Sequence, residues 1–385
     1  MKLNYRKLGE FIRQVDVRNV EGKEENLLGV SVQKLFIPSI ANTVGTDFTK
    51  YKVVKKGQFT YIPDTSRRGD KIGIALLEDY EEGLVSNIYT VFEIINEEQL
   101  LPKYLMLWFS RSEFDRYARF KSHGSVREIF GWDELCDIDL PVPSITEQRK
   151  IVETYRIVEE RIELKRKIND NLVATLSTVY KELFADANTH FPKVPLQKIC
   201  SKIGSGATPK GGKTAYISEG ISLIRSTNVF DFNFEYDELA HINQSQADAL
   251  ANVIVKPNDI LFNITGVSVA RCCMVPDNVL PARVNQHVMI IRPIKGETMS
   301  YYIMFTLCSA DNKAKLLGIG QSGSTREAIN KQELESFEIP LPDDATLSQF
   351  GTAAKSIYEH IHVNVNETRA LDEVKKVLLM QLSSR

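Results

Sequence analysis

Apolar residues recur at alternating steps of four and three along two stretches of this chain. The first runs through Ile151, Tyr155, Val158, Ile162, Leu172, Leu176, Val179 and Leu183, with no Gly or Pro between Ile151 and Phe184. Lys165 and Asn169 fill the two missing seam positions. This alternation is that of a coiled-coil helix. Thr146 and Glu147, just after Pro143, stand where its N-terminus is expected. From Ile151 to Phe184 such a helix is about 51 Å long. The second stretch begins at Leu347, with its seam at Phe350, Ala354, Ile357, Ile361, Asn364, Thr368, Leu371, Lys375, Leu378 and Leu382. Aligned antiparallel, Ile151 meets Leu382 and Leu183 meets Phe350. Lys165 then faces Thr368, and Asn169 faces Asn364. Polar seam residues cost stability and fix register, although any long helix also collects a few.

A mixed segment precedes each long helix. Short β-rich runs, such as Lys71–Leu77 and Val288–Ile291, alternate with turn signals. One further helix is expected in each segment, around Lys103–Arg119 and Met299–Leu316.

The two halves repeat each other. His123-Gly124-Ser125-Val126-Arg127-Glu128 matches Ser322-Gly323-Ser324-Thr325-Arg326-Glu327 at an offset of 199. Glu134-Leu135 then matches Glu333-Leu334, Pro141-Val142-Pro143 matches Pro340-Leu341-Pro342, and Ile162 and Leu172 fall over Ile361 and Leu371. Upstream, Val54–Phe59 echoes Val255–Ile260 more weakly. A period this long means two copies of one domain-plus-helix unit, not a solenoid. The expected fold is mixed α/β, with two homologous globular domains (1–143 and 187–342) separated by two long antiparallel coiled-coil helices (144–186 and 343–385).

Composition adds limits. With 48 Lys and Arg against 50 Asp and Glu, the net charge is −2, so no global basicity announces a nucleic acid. The five cysteines include no C-x-x-C spacing, and the six histidines do not cluster at metal-ligand spacing. A reducing cytoplasm is expected, without disulfides or metal. The N-terminal Met1–Lys7 has no apolar core behind it, so no signal peptide is expected. No run approaches 18 apolar residues, so no membrane span is expected either.

No catalytic motif survives inspection. Gly318-Ile319-Gly320-Gln321-Ser322-Gly323 has the G-x-G-x-x-G form, but a helix rather than a strand precedes it, so a flexible turn is expected. Glu373-Val374-Lys375 lies on a helix face without an aspartate partner. There is no Walker A loop, no H-E-x-x-H and no Asn/Asp-Pro-Pro-aromatic tetrapeptide.

Local charge is more telling. Between Lys193 and Ser218 there are five lysines (193, 198, 202, 210, 213) and no acid. Within this stretch, Gly204–Lys213 is rich in glycine and carries Thr208, Lys210 and Lys213, a composition suited to phosphates. Arg225 and Asn228 follow the strand-like Ile221–Ile224. Such side chains can bridge guanine and adenine in the major groove, although Arg225 can equally brace the domain through an internal carboxylate. In the first half, Lys50, Lys52, Lys55, Lys56, Arg67, Arg68 and Lys71 face only Asp64 and Asp70. A basic loop alone is usually a solvated surface. Two equivalent basic domains suit a two-part DNA site better.

With these features together, the chain resembles the specificity subunits of type I restriction-modification enzymes over its whole length. The resemblance rests on Leu140-Pro141-Val142-Pro143-Ser144-Ile145-Thr146-Glu147-Gln148-Arg149-Lys150-Ile151-Val152 leading into the helix. It rests also on the Gly-Ser-x-Arg segments ending at Arg127 and Arg326, and on Ile203–Pro209. The second copy lacks Glu-Gln in register, and the first domain lacks Gly-x-Thr-Pro near its start. The resemblance implies a non-catalytic chain whose domains each read half of a split, asymmetric site in double-stranded DNA. It implies helices that space the domains and dock two methyltransferase subunits, with Glu147 and Gln148 as contacts. S-adenosylmethionine, ATP and Mg would sit on partner methyltransferase and restriction (motor) subunits. The competing readings are a tandem-domain coiled-coil scaffold that binds proteins, and an S-adenosylmethionine-using enzyme.

Overall fold

A computed structural model of the protein describes residues 5–39, 45–66, 71–123, 128–184, 190–209, 211–321 and 328–384. The chain forms two compact units. One comprises Met1–Leu164 with Thr368–Arg385, and the other Lys165–Glu367.

The first unit is built on a four-stranded antiparallel sheet ordered Ile12–Val15, Thr90–Ile94, Phe59–Tyr61, Ile74–Leu76. Its inward face carries Phe59, Tyr61 and Phe92, which pack on Phe109, Phe114 and Phe130. Helices Pro102–Phe109 and Ser112–Lys121 close this core. A second, two-stranded ribbon pairs Tyr5–Lys7 with Asp139–Pro141.

The second unit repeats this plan. Its four-stranded sheet runs Cys200–Ser205, Val288–Pro293, Ile260–Asn263, Cys272–Met274, again antiparallel. Helices Glu297–Cys308 and Ala310–Gln321 cover it, and Lys193–Pro195 pairs with Glu338–Pro340. The equivalence reaches single atoms. The Tyr104 hydroxyl donates to the Pro141 carbonyl at 2.8 Å, and the Tyr302 hydroxyl donates to the Pro340 carbonyl at 2.6 Å. Gly57 and Asn258 both take positive φ, at 83° and 67°, in the turns that enter equivalent strands. The next side chain, Gln58 or Asp259, then accepts from the backbone N–H of Lys55 or Lys256.

The units diverge in what they insert. The second has a three-stranded sheet, Ala240–Ile242, Ile221–Ile224 and Ala282–Val284, whose last pairing is parallel. The first has the separate ribbons Leu28–Val30 with Phe36–Pro38 and Lys52–Lys55 with Glu82–Val85. A shared scaffold therefore carries different loop chemistry.

The long helices span Ile145–Phe184 and Asp344–Ser384, each beginning several residues before the periodic seam. Capping explains the early starts: the Ser144 hydroxyl accepts from Glu147 N–H at 3.3 Å, and Asp343 accepts from Thr346 N–H at 2.8 Å. Those bonds hold the Asp343 carboxyl below the usual carboxylate range. Within each unit the two helices run antiparallel. In the first, Leu382 is buried in the core, with Ile151 packed against it. In the second, Leu183 packs against the cluster that holds Phe350.

At the polar centre Asn364 donates to Asn169 at 2.8 Å, as the antiparallel alignment requires. The Lys165 side chain lies in the same polar cluster. It reaches Asn364 Oδ1 at 2.9 Å and Glu367 at 2.8 Å. Two expectations are corrected. The single helix expected in each domain is two helices, broken at Ser110–Arg111 and at Ser309. Gly318 and Gly320 lie inside helix Ala310–Gln321, not in a turn. No described helix is long and apolar enough to cross a membrane.

Candidate nucleic-acid interface

The basic residues of the first unit divide by what holds them. Lys50 is exposed and 3.4 Å from Asp47. Lys52 is tied down: its ammonium donates to the Tyr89 carbonyl at 2.9 Å and lies 3.7 Å from Asp16. Lys71 is exposed, with no hydrogen bond or ion pair among the described residues. Arg67, Arg68 and Arg127 lie outside the described residues.

Next to these stretches the backbone is firmly anchored. Thr65 N–H donates to the Glu128 carbonyl at 2.9 Å, and the Thr65 and Ser122 hydroxyls bond at 2.9 Å. Ile72 N–H donates to Asp115 at 3.2 Å. Asp115 in turn holds Lys34 at 2.8 Å, both side chains being buried. Burial pulls the Lys34 ammonium below the ordinary lysine range, and Asp115 opposes that pull.

In the second unit Lys202 donates to the Asn252 carbonyl and Thr208 donates to Gln286. Lys210 and the side chain of Lys213 lie outside the described residues, as does Arg326. The glycine-rich stretch is less free than its composition suggests. Gly206 donates its N–H to the Asn285 carbonyl at 3.1 Å, and a Cβ there would lie 1.7 Å from the Val284 carbonyl oxygen. This glycine is needed for close packing.

Two residues expected to meet DNA bases are engaged internally. Asn228 is fully buried: its amide donates to the Glu235 and Asp237 carbonyls and accepts from Arg225 N–H at 3.0 Å. Its hydrogen-bonding groups hold a turn together, so the adenine-bridging role is withdrawn. Arg225 donates to the Glu238 carbonyl and lies 3.9 Å from the Glu238 carboxylate. It also stacks 5.7 Å from the Tyr216 ring. That is the bracing alternative, supplied mainly by a carbonyl.

Gln148 is corrected as well. It is fully buried, donates to the Gln99 and Pro143 carbonyls at 2.9 Å each, and accepts from Leu101 N–H at 2.9 Å. It fastens the start of the long helix to its own domain and offers nothing to a partner subunit. In the second copy, buried Leu347 takes the corresponding place in a purely apolar way. Glu147 sits half-buried in the first helical turn.

Sequence reasoning missed a convergence of three loops in the second unit. Thr208, Gln286, His287 and Thr265 form one polar chain. Gln286 Nε2 lies 3.0 Å from His287 Nε2, and His287 Nδ1 lies 2.7 Å from the Thr265 hydroxyl. Thr265 also bridges to Ala328, next to the second Gly-Ser-x-Arg segment. Val267, in the adjoining turn, is 97% exposed. The polar triplet Asn285-Gln286-His287 between two apolar strands was the available signal, but nothing in it says which other loops meet it.

Comparison with known proteins also finds the chain duplicated. The family model described as "Type I restriction modification DNA specificity domain" matches twice, over residues 10–174 and 196–366. The type I restriction enzyme MjaIX specificity subunit of Methanocaldococcus jannaschii is 20% identical over 308 residues, covering 75% of this chain and 70% of that protein. A putative MjaX specificity subunit from the same organism is 20% identical over 353 residues, covering 86% and 79%. In fold, the chain is similar to the crystal structure of the type I restriction-modification system S subunit from M. genitalium. That match has a TM-score of 0.56 and 14% identity, over 99% of this chain and 96% of that one. Since the two family matches follow the two copies of the internal repeat and together take in most of the chain, this protein belongs to the type I restriction-modification DNA specificity family.

Proposed function

We propose that the chain is the sequence-reading component of a type I restriction-modification complex. Its two recognition domains, 1–143 and 187–342, each read one half of a split, asymmetric site in double-stranded DNA. The helices at 144–186 and 343–385 set the spacing between the half-sites. The observation that carries this reading is the duplication: one scaffold occurs twice, with the same sheet order but different inserted ribbons and loops. Two unlike readers on one chain suit a non-palindromic site.

The chain itself performs no chemistry in this reading. Two methyltransferase subunits dock on the helices and hold S-adenosylmethionine. Restriction (motor) subunits, with ATP and Mg, complete the assembly in the cytoplasm. Exposed Lys50 and Lys71 are placed on phosphates together with Arg67, Arg68, Arg127, Lys210, Lys213 and Arg326. Phosphate contacts position the protein without carrying sequence information. Glu147 remains a candidate contact for a methyltransferase subunit.

Selection from a randomised duplex library, using the full chain assembled with its methyltransferase partner, tests the proposal. The bound pool should converge on two fixed, unlike half-sites separated by a fixed number of unread base pairs. Convergence on a single contiguous motif, or on none, would contradict it.

A further inference from the structure

The polar chain in the second unit includes an exposed glutamine, Gln286, that is rigidly mounted. The backbone of Asn285–His287 is fastened on three sides. Asn285 N–H donates to the Ile224 carbonyl at 3.0 Å, Gly206 N–H donates to the Asn285 carbonyl at 3.1 Å, and Ile264 N–H donates to the His287 carbonyl at 3.0 Å. The Asn285 side chain accepts from His287 N–H at 3.0 Å. The crown of this turn is therefore set by three neighbouring segments of one domain.

The Gln286 side chain is exposed and yet held. The Thr208 hydroxyl donates to its Oε1, and its Nε2 donates to His287 Nε2. An accepting Nε2 leaves the imidazole proton on Nδ1, which donates to the Thr265 hydroxyl. Fixing an exposed glutamine costs rotamer freedom, and none of these bonds rescues a fully buried group. Rigidity at an exposed polar tip is what a pre-organised contact needs.

A primary amide has two N–H donors and two lone pairs on its oxygen. Thr208 and His287 take one acceptor and one donor site, so one donor and one acceptor remain. Adenine presents the complementary pair, N7 as acceptor and the N6 amino group as donor, in the major groove. We propose that Gln286 is a base-reading residue that specifies an adenine in the half-site of the second domain, with Thr208 and His287 positioning its amide. This inference rests on the reading of the chain as a DNA specificity subunit.

The test is selection from a randomised duplex library by the full chain with its methyltransferase partner. Wild type is compared with Gln286→Ala and Thr208→Val, and melting temperature and binding to unrelated duplex are measured alongside. Gln286→Ala should lose adenine preference at one position of one half-site by roughly 5- to 150-fold. The other half-site, the melting temperature and non-specific affinity should be unchanged. Thr208→Val keeps the glutamine but unfastens it, and should give a smaller loss at the same position. Unaltered preference in Gln286→Ala, a loss at a position that is not adenine, or equal weakening of both half-sites would overturn the assignment. A wild-type complex that selects no split motif would fail the underlying reading before any variant is compared.

Discussion

Asn364 donates its side-chain amide to Asn169 across the two long helices at 2.8 Å, and the same Asn364 accepts from Lys165 at 2.9 Å. One asparagine thus serves two polar groups at the polar centre of the seam. Replacing Asn364 with leucine alone should destabilise the chain by roughly 1–3 kcal/mol, because Asn169 loses its donor in a half-buried place. Replacing Asn169 as well should recover part of that loss, since Lys165 keeps Glu367. Thermal melts of both single variants and the double give the coupling. Additive effects would mean that the two residues do not act together.

Gln148 looks on sequence like a helix-surface residue, and its contacts say otherwise. Gln148→Ala leaves Leu101 N–H and two carbonyls unpaired inside the first unit. A loss of about 2–3 kcal/mol in folding stability is expected. Denaturant unfolding measures it. Affinity for the methyltransferase partner, measured below the melting temperature, should not change.

Arg225 should behave as a brace. Arg225→Ala should lower stability by roughly 1–3 kcal/mol through the lost bond to the Glu238 carbonyl. The selected DNA motif should be unchanged at every position. Loss of preference at one guanine, with unchanged melting, would restore the reading role.

The Lys34–Asp115 pair anchors Ile72, immediately after Lys71. Lys34→Met or Asp115→Leu alone should cost about 3–5 kcal/mol, since each strands a buried charge. The double variant should recover part of that loss, remaining about 1–3 kcal/mol below wild type because Ile72 N–H stays without its acceptor. Equal, additive losses in a double-mutant cycle would show that the two charges are not paired.

Much of this architecture was legible from periodicity alone. The four-three seam located both helices, and the antiparallel alignment placed Asn169 against Asn364 before any coordinates. What failed was partner choice at single polar residues. Asn228 was read as a base contact following a strand, and Gln148 as a partner contact implied by the family resemblance. Both proved buried, because each satisfies backbone groups at a turn or chain crossing that no periodicity reveals. The Thr208–Gln286–His287–Thr265 chain joins segments up to 79 residues apart. Such convergence follows from sheet order, and sheet order is not written locally in the sequence.

Helix length should act as a ruler for the DNA site. Removing one matched heptad from each long helix shortens it by about 10 Å, or roughly three base pairs. The unread spacer should shrink by about that amount, with both half-sites unchanged. A constant spacer in such deletions would show that the helices do not set it.

The most direct test of the account is a genome-wide map of methylated adenines in a host that expresses the methyltransferase partner with and without this chain. With the chain present, methylation should fall on a single split motif whose two halves differ in sequence, and without it that motif should be unmodified. Methylation of the same sites in the absence of the chain, or a motif that is palindromic and unsplit, would contradict the claim that this protein reads the DNA.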